Sequence, residues 1–525
     1  MSNVYKVFVV AALLLSAFFG CDGLEDYNIN EKEISDDQLV ADFQIAGSKF
    51  KPIFQNIYQF DPAWSFQLQQ NLNADIFSGY MTNPRPFVAG QNNTTYNLVS
   101  GWNNYIWSVP YEGVMNWVNK IKKISNDYPT MYGAALILKV SAMHRVSDVF
   151  GPIVYRNFGD FEKAGVYDSQ EEAYNAFFVD LDQATANIME DLNSIRFKKF
   201  DMVYGGNYTN WIKLANSIRL RLAIRIAKVA PMKAKEEGEK ALNHPLGVLE
   251  SNEVNFTIKG NIAHPLSVID NAWGDIRMNA SMESILLGYK DPRALKYFTE
   301  STGGDLKGIR NGLSLMAGYS DEEKQKTAYL GFSALNDAIH TTNVQLMTAA
   351  EVAFLKAEAS LRGWSGAGDA RSNYEQGINL SFNQHGAEGV TTYLADNTSR
   401  PKDYEDPLNS GNSIAAMSDI TIAWNESSTN EEKLERIITQ KWIAMFPEGQ
   451  EAWSEYRRTG YPKIFPVVSN QSGGTIDTNI QIRRIPFVDS EISTNRINVQ
   501  KAKTLLKGPD NGGTRLWWDT GNINF

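Results

Sequence analysis

Five histidines are the side chains best suited to metal binding or acid–base chemistry: His144, His244, His264, His340 and His385. No two of them stand four residues apart, the spacing that places two zinc ligands on one helix face, and no HExxH motif occurs. His144 lies within an apolar helical pattern and is predicted to be a hydrogen-bonded core histidine, not a ligand. We therefore predict neither a zinc site nor a cofactor.

Motifs for nucleophilic or phosphate chemistry do not occur in the sequence. It contains no GxSxG nucleophile elbow, no GxxxxGK[ST] phosphate loop and no GxGxxG after a strand. Gly303, Gly304, Gly308 and Gly312 are predicted to form a flexible loop, because they are spaced too loosely for phosphate binding. A glycosidase needs two carboxylates beside the scissile bond, and 60 acidic residues neither exclude nor support such a pair. We predict a protein that is not an enzyme, with a glycan-cleaving enzyme as an alternative.

Side chains suited to ligand binding lie in three polar loops, residues 80–107, 271–275 and 308–319. Aromatic rings offer stacking area at low conformational cost, while Asn and Arg fix the positions of hydroxyl or carbonyl groups. Each aromatic could instead be partly buried against the base of its loop, so both interpretations stay open. The predicted ligand-binding residues are Arg85, Asn93, Tyr96, Trp102, Trp273, Arg310, Asn311 and Tyr319.

The bulk composition narrows the class of partner. The chain has 525 residues, 43% of them hydrophobic, and a formal net charge of −10. Since nothing in this charge attracts the chain to phosphates, we predict no nucleic-acid partner. The single cysteine, Cys21, excludes a disulfide within the chain and a thiolate metal cluster.

The N-terminus predicts secretion and lipid attachment. The apolar stretch 7–19 has the length of a secretory signal and is shorter than the roughly 20 residues of a membrane-spanning helix. It ends next to Cys21 in a pattern that resembles a bacterial lipobox, where cleavage frees a cysteine for acylation, and two or three acyl chains hold a protein on a membrane. We predict a signal peptide over 1–20 and a lipidated polar tether over 21–35. An ordinary signal peptide with a chance cysteine is the alternative.

From about Asp36 the hydrophobic pattern repeats with the period of a helix. Thr348 and Glu351 have the spacing of a capping box, while Arg219, Arg221 and Arg225 are predicted to form a solvated or salt-bridged helix flank. The predicted helices cover 131–150, 170–193, 211–229 with Pro231 as the end, 348–364, 370–382, 431–446 and 450–458.

Long Gly- and Asn-rich segments separate these helices, and no hydrophilic linker divides the chain. So many irregular stretches in one compact protein indicate a functional surface. We predict a single, mainly α domain over 36–525 with extended loops. The helix-turn-helix at 348–382 is similar to a tetratricopeptide unit.

Six runs resemble, in order and spacing, those of the SusD/RagB family, in particular its SusD-like branch. The most specific is IITQKWIAMFPEGQEAWSEYRRTGYP at 437–462. Within it Trp442, Trp453, Tyr456 and Arg457 are predicted to be core and inter-helix contacts. The other runs are VFGPIVY at 149–155, WIKLANSIRLRLAIRI at 211–226, AEASLRG at 357–363, RRIPFVDSEISTN at 483–495 and WWD at 517–519.

The resemblance implies an α-superhelix of four tetratricopeptide-like helix pairs with a loop-rich part packed on one side. It also implies a lipoprotein of the outer membrane, facing the cell surface, that binds a nutrient and forms the lid of a SusC-like TonB-dependent transporter. Family members bind glycans or peptides, and the loop aromatics favour a glycan, with a peptide as the alternative. A tetratricopeptide-like scaffolding lipoprotein with no small-ligand site is a further alternative.

Overall fold

A computed structural model describes residues 42–85, 92–260, 263–313, 328–521 and 523–525. The predicted signal peptide, the tether with Cys21, and Tyr319 lie outside the described residues. No helix in the described part of the chain is long and apolar enough to cross a membrane.

Helices dominate the fold. The first are α1 (Gln44–Gly47), α2 (Phe50–Asn56), α3 (Ala63–Phe66), α4 (Ser100–Pro110), α5 (Asn116–Lys122), α6 (Pro129–Phe150), α7 (Gln170–Met189), α8 (Tyr208–Arg225), α9 (Pro231–Leu242) and α10 (Ala280–Gly288). They are followed by α11 (Ala294–Tyr297), α12 (Asp337–His340), α13 (Ala349–Leu361), α14 (Ala370–His385), α15 (Val390–Ala395), α16 (Asn430–Ala444), α17 (Gly449–Thr459), α18 (Asp489–Thr494) and α19 (Arg496–Lys503).

Short strands and irregular helical turns complete the described residues. The strands β1 (Met81–Thr82) and β3 (Arg277–Met278) pair antiparallel, as do β2 (Phe256–Ile258) and β4 (Val344–Met347). Wide π-helical turns cover Gln67–Asp75, Tyr111–Met115 and Val268–Ala272. Tight 3₁₀ turns cover Asn93–Thr95, Asn252–Val254, Ala328–Gly331 and Ser410–Asn412.

The long helices associate as consecutive pairs. Helix α6 packs on α7, α8 on α9, and α13 on α14. The last pair is α16 and α17, in which the Lys441 ammonium donates a hydrogen bond to the Glu455 carboxylate at 3.0 Å. Successive pairs also touch, through contacts of α7 with α8, α8 with α13, and α13 with α16. This arrangement confirms the prediction of a mainly α fold built from tetratricopeptide-like helix pairs.

Several details of the helix ends differ from the prediction, and one of them is that α7 ends at Met189 where residue 193 was predicted. Helix α8 ends at Arg225, and Pro231 is the first residue of α9. Proline fits this position because the backbone N–H of a first helical residue has no partner within the helix. Thr348 caps α13 by accepting a hydrogen bond from the backbone N–H of Glu351 at 3.0 Å. The carboxylate of Glu351 binds Arg221 instead of the cap, so the capping box is only half formed.

The arginines of α8 point into the protein. Arg221 pairs with Glu351 at 2.6 Å, and Arg225 pairs with Glu451 and Glu455 at 2.5 Å each. The salt-bridged flank is therefore confirmed, while the solvated one is wrong because α6 and α13 enclose this helix. These residues belong to a buried ion-pair cluster, which we define as Asp148, Arg221, Arg225, Glu351, Glu358, Arg362, Lys441, Glu451, Glu455 and Arg458.

The aromatic residues of α16 and α17 are core residues, as predicted. Trp442 and Trp453 are fully buried, and Tyr456 is nearly so. The Arg457 guanidinium lies 3.5 Å from the centre of the Trp453 ring and donates to the backbone carbonyl of Arg483 at 2.9 Å. The motif that carries the family resemblance is thus a packing motif.

His144 is a buried core histidine, as predicted, with Nδ1 2.8 Å from the Val140 carbonyl oxygen. Burial, with the nearby positive charge of Arg221, lowers its pKa to about 3, whereas an unfolded histidine titrates near 6.5. The neutral ring therefore contributes stability that is fully present above pH 6.5 and is lost as the pH falls from 6.5 towards 3.

We expect this titration to appear in urea unfolding of the wild type and of His144→Gln, which cannot titrate at this position. The difference in unfolding free energy between the two should shrink by about 1.4 kcal/mol from about pH 7.5 to about pH 5.5. A difference that stays constant over this interval would show that His144 does not titrate on unfolding.

Candidate functional site

Backbone hydrogen bonds bring the three predicted loops side by side. Strand β1, in the first loop, pairs with β3, which follows the second. Ile309, in the third, donates its N–H to the carbonyl of Met278 in β3 at 2.8 Å, and Val468 donates to Asn311 at 2.9 Å. Three segments that are distant in sequence therefore lie side by side in one hydrogen-bonded region. We call it the three-loop region and define it as residues 80–85, 271–279 and 308–313.

Gly308 allows this close approach. A Cβ atom at this position would lie 2.4 Å from the backbone oxygen of Asn279, a distance that real Cβ atoms do not reach. The prediction that Gly303, Gly304, Gly308 and Gly312 form a loosely spaced flexible loop is therefore wrong at Gly308, which is packed against a neighbouring strand end.

Arg85 and Trp273, both predicted ligand contacts, meet in this region. The Arg85 guanidinium pairs with Asp275 at 2.9 Å and also donates to the Trp273 carbonyl oxygen. Gln67 and Asn83 bind the same aspartate, through its carboxylate at 2.9 Å and its carbonyl at 2.8 Å. Because Asp275 is held from several sides, the half-buried Trp273 ring has a rigid base.

Arg310 and Asn311 are anchored by backbone groups. Arg310 donates to the carbonyls of Pro466 and Asn412, each at 3.1 Å, and burial lowers the pKa of its guanidinium. Asn311 donates to the carbonyl of Ile76 at 2.9 Å, while its Oδ1 is buried without a hydrogen-bond partner among the described residues. The Asn311 side chain therefore keeps one unused acceptor.

Asn93 and Tyr96 lie beneath the surface. The Asn93 amide, which is fully buried, binds Leu72 at 2.8 Å, Asn73 at 2.7 Å and Val99 at 3.1 Å. Tyr96 is also buried, and burial holds the pKa of its hydroxyl far above the ordinary value. Trp102 is partly buried against the core. Asn93 and Tyr96 therefore support the loop in this structure, Trp102 stays a predicted ligand contact, and Tyr319 lies outside the described residues.

Two supporting residues were not identified from the sequence. Asp270 accepts hydrogen bonds from Arg277 and from His340, each at 3.1 Å, and this bond to the carboxylate raises the pKa of His340. The other ring nitrogen of His340 lies 3.0 Å from the Asn271 amide. Together they brace the turn that carries Trp273, but no sequence spacing links residues 70 positions apart.

The side chains that usually bind metal ions do not cluster in the described part of the chain. No group of three or more His, Cys, Asp or Glu side chains that could hold a metal ion occurs there. What the three-loop region offers is the half-buried Trp273 ring and the partly exposed guanidinium groups of Arg85 and Arg310, which can bind a polar ligand by stacking and hydrogen bonding.

The chain is similar in sequence and in fold to proteins of one family. The family model described as SusD-like, SusD and RagB outer-membrane lipoprotein, matches residues 26–519. A chitin-binding SusD homologue from Flavobacterium johnsoniae is 45% identical, with a TM-score of 0.88, and the match covers 91% of this chain and 100% of that one. SusD homologues from Bacteroides vulgatus and Bacteroides uniformis are 40% and 39% identical, with TM-scores of 0.85 and 0.83, covering 93% and 90% of this chain and 100% and 99% of theirs. A search among curated proteins found no match.

Proposed function

Because the chain belongs to the SusD-like family of outer-membrane lipoproteins, we propose that it binds a glycan at the cell surface and delivers it to a SusC-like TonB-dependent transporter. The observation that carries the glycan site is the anchoring of Arg85, which pairs with Asp275 and donates to the backbone carbonyl of Trp273, next to the half-buried Trp273 side chain. A flat ring beside fixed hydrogen-bonding groups suits the alternating apolar and hydroxyl faces of a sugar.

The choice of a glycan over a peptide rests on two supports. The 45% identical homologue is described as chitin-binding, and the site combines a ring with hydrogen-bonding groups on one surface. The protein acts by binding, with no cleavage of its ligand, and chitin oligosaccharide is the first ligand to test.

The anchor completes the proposal. A signal peptide over 1–20 directs export, and Cys21 at the start of the tether 21–35 carries the acyl chains. The single domain 36–525 then sits outside the membrane, where the three-loop region can meet its ligand and the transporter.

We expect Trp273→Ala to weaken the binding of chitin oligosaccharide about tenfold or more, because the stacking surface is lost. Isothermal titration calorimetry of the purified lipoprotein in detergent measures this. Trp424→Ala is the matched control, since that half-buried ring lies outside the three-loop region, near the Lys433 ammonium. Equal affinities of both variants and the wild type would remove the three-loop region from the proposal.

The transporter partner needs its own measurement. Affinity capture of the lipoprotein from mildly solubilised membranes should recover a much larger β-barrel protein, and surface labelling of intact cells should reach the lipoprotein. Recovery of the lipoprotein alone, with no surface labelling, would favour a scaffolding role inside the envelope.

A further inference from the structure

A long groove lies away from the three-loop region and shares no lining residue with it. One wall is the continuous helical stretch from α4 through the turn Tyr111–Met115 to α5. The other wall is the loop 158–165 together with α18. The groove has a volume of 830 Å³, which is in the range of pockets that enclose most of a small ligand.

Aromatic rings form the base and the rim of this groove. At the base, Trp107 lies 4.9 Å from Tyr111, which lies 5.6 Å from Phe158, as measured between ring centres. At the rim, the Phe161 side chain is 97% exposed, and Tyr105 stands at 5.5 Å from Trp64 in an edge-on arrangement. A fully exposed phenylalanine beside a groove has no packing role, so it is available as a stacking surface.

Polar groups follow the helical wall at every fourth residue, at Asn104, Ser108, Glu112 and Asn116. Because this spacing keeps side chains on one helix face, they form a stripe along the groove. Among the described residues, the side chains of Ser108, Glu112 and Asn116 have no hydrogen-bond partner. Asn104 is held by Ser490 of the opposite wall at 2.6 Å. The stripe thus offers unused donors and acceptors above a row of rings.

The charge in the groove has one sign. Glu112, Asp160 and Glu491 line it, and none of the described lining residues is Lys or Arg. Glu491 is oriented by hydrogen bonds from Tyr167 at 2.7 Å and Asn495 at 3.2 Å. Such a negatively charged lining repels ligands that carry uronate or sulfate groups. It accepts neutral sugars and attracts protonated amino groups.

We propose that this groove is a second glycan-binding site, which takes a neutral or amino-bearing oligosaccharide segment and rejects acidic glycans. The inference rests on the proposed glycan ligand but assigns it to residues outside the three-loop region. Phe161 and Tyr105 supply the stacking faces, and the stripe from Asn104 to Asn116 binds the sugar hydroxyls.

Hydrogen-exchange mass spectrometry of the purified lipoprotein tests the groove and the three-loop region in one experiment. Oligosaccharides of equal length are added in turn: chitin, its deacetylated form and galacturonan. We expect the first two to slow exchange in peptides covering 158–165, and galacturonan to leave them unchanged. The double variant Phe161→Ala/Tyr105→Ala should lose this protection and keep that of 271–275, while Trp273→Ala should show the reverse. Met232→Ala, on an exposed part of α9, is the matched control and should retain both.

Charge reversal tests the electrostatic part. Glu112→Lys should weaken binding of the deacetylated chain about tenfold at low salt, since a repulsive charge replaces an attractive one. Asp419→Lys, at another exposed carboxylate, should not.

The outcomes separate the two proposals. Protection of 271–275 without 158–165 overturns the second site and leaves the proposed function standing. Protection of neither segment by any glycan overturns both. Equal protection of 158–165 by galacturonan overturns the charge selectivity, and protection only on addition of the transporter or of a second copy of the chain makes the groove a protein interface instead.

Discussion

Replacing Arg225 by methionine is expected to lower the unfolding free energy by about 3–5 kcal/mol, because it removes one partner from a buried ion pair. Arg225 is fully buried and joins Glu451 and Glu455, with Asp148 at 3.4 Å on its other side. The positive charges of Arg225, Arg221 and Lys441 overcome the effect of burial and lower the pKa of Glu451 to about 2. The pKa of Glu455 is also held well below its ordinary value, because the positive charges of Arg458, Lys441 and Arg225 overcome the effect of burial. Glu451 and Glu455 are therefore ionised, and losing Arg225 removes a positive partner that both of them share in the core.

Arg371→Met is the matched control for this measurement. Arg371 sits on the exposed face of α14 and pairs with Glu375 at 2.7 Å, but 53% of its side chain is exposed. An exposed pair of this kind contributes less than about 1 kcal/mol. Urea unfolding of both variants and the wild type gives the two differences. If the two methionine variants were equally stable, the buried ion-pair cluster would contribute no more than a surface salt bridge.

The contribution of Glu451 to the unfolding free energy depends on pH in a predictable direction. Because the folded pKa of Glu451 lies below that of an unfolded glutamate, its contribution is present above about pH 4.3 and is lost as the pH falls towards 2. Arg225→Met should reduce this acid-side loss, since the group that lowers the pKa of Glu451 has been removed.

Cys21→Ser is expected to abolish lipid attachment and to deplete the protein from the outer membrane. Each buried methylene of an acyl chain contributes about 0.8 kcal/mol, so the loss of two or three chains removes the anchor. Because serine also blocks cleavage by a lipoprotein signal peptidase, the uncleaved precursor is expected to stay in the inner membrane, held by its apolar signal segment. Density-gradient separation of the two membranes locates the protein, and labelling with radioactive palmitate reports its acylation. Protease treatment of whole cells reports whether the protein is still exposed at the cell surface.

Gly23→Ser is the control, since it changes the tether without touching the acylated residue. Nutrient uptake by the cells should fall with Cys21→Ser and stay normal with Gly23→Ser. An unchanged outer-membrane level of the Cys21→Ser protein, with undiminished uptake, would contradict lipid anchoring and with it the proposed place of action.

Local patterns in the sequence determined much of the fold. The apolar stripes of α6 and of the 348–382 pair predicted helices at the right places, because helix periodicity and capping depend on residues within one or two turns. Buried Trp442 and Trp453 followed from the same pattern. The ordered runs of the C-terminal third also identified the family, since packing motifs repeat wherever the same helices meet.

Only part of the candidate site could be predicted from local patterns in the sequence. Arg85 and Trp273 were singled out as polar-loop residues, and the structure brings them together. Asn93 satisfied the same criterion and is buried, because whether a polar residue faces the solvent or the loop base depends on what packs above it. Nothing in the spacing of Phe161 and Asn104 marked the two walls of the groove.

What the sequence determined by itself is therefore the helical repeat and the family, both of which are written in short-range patterns. Only the tertiary structure decided which side chains pair with each other. Arg225 pairs with Glu455, 230 positions away in sequence, and Arg85 pairs with Asp275, 190 positions away. A side chain's charge and size are local properties, whereas its burial and its partner depend on chain segments that folding brings together from any distance. The proposed glycan site depends on the second of these long-range contacts.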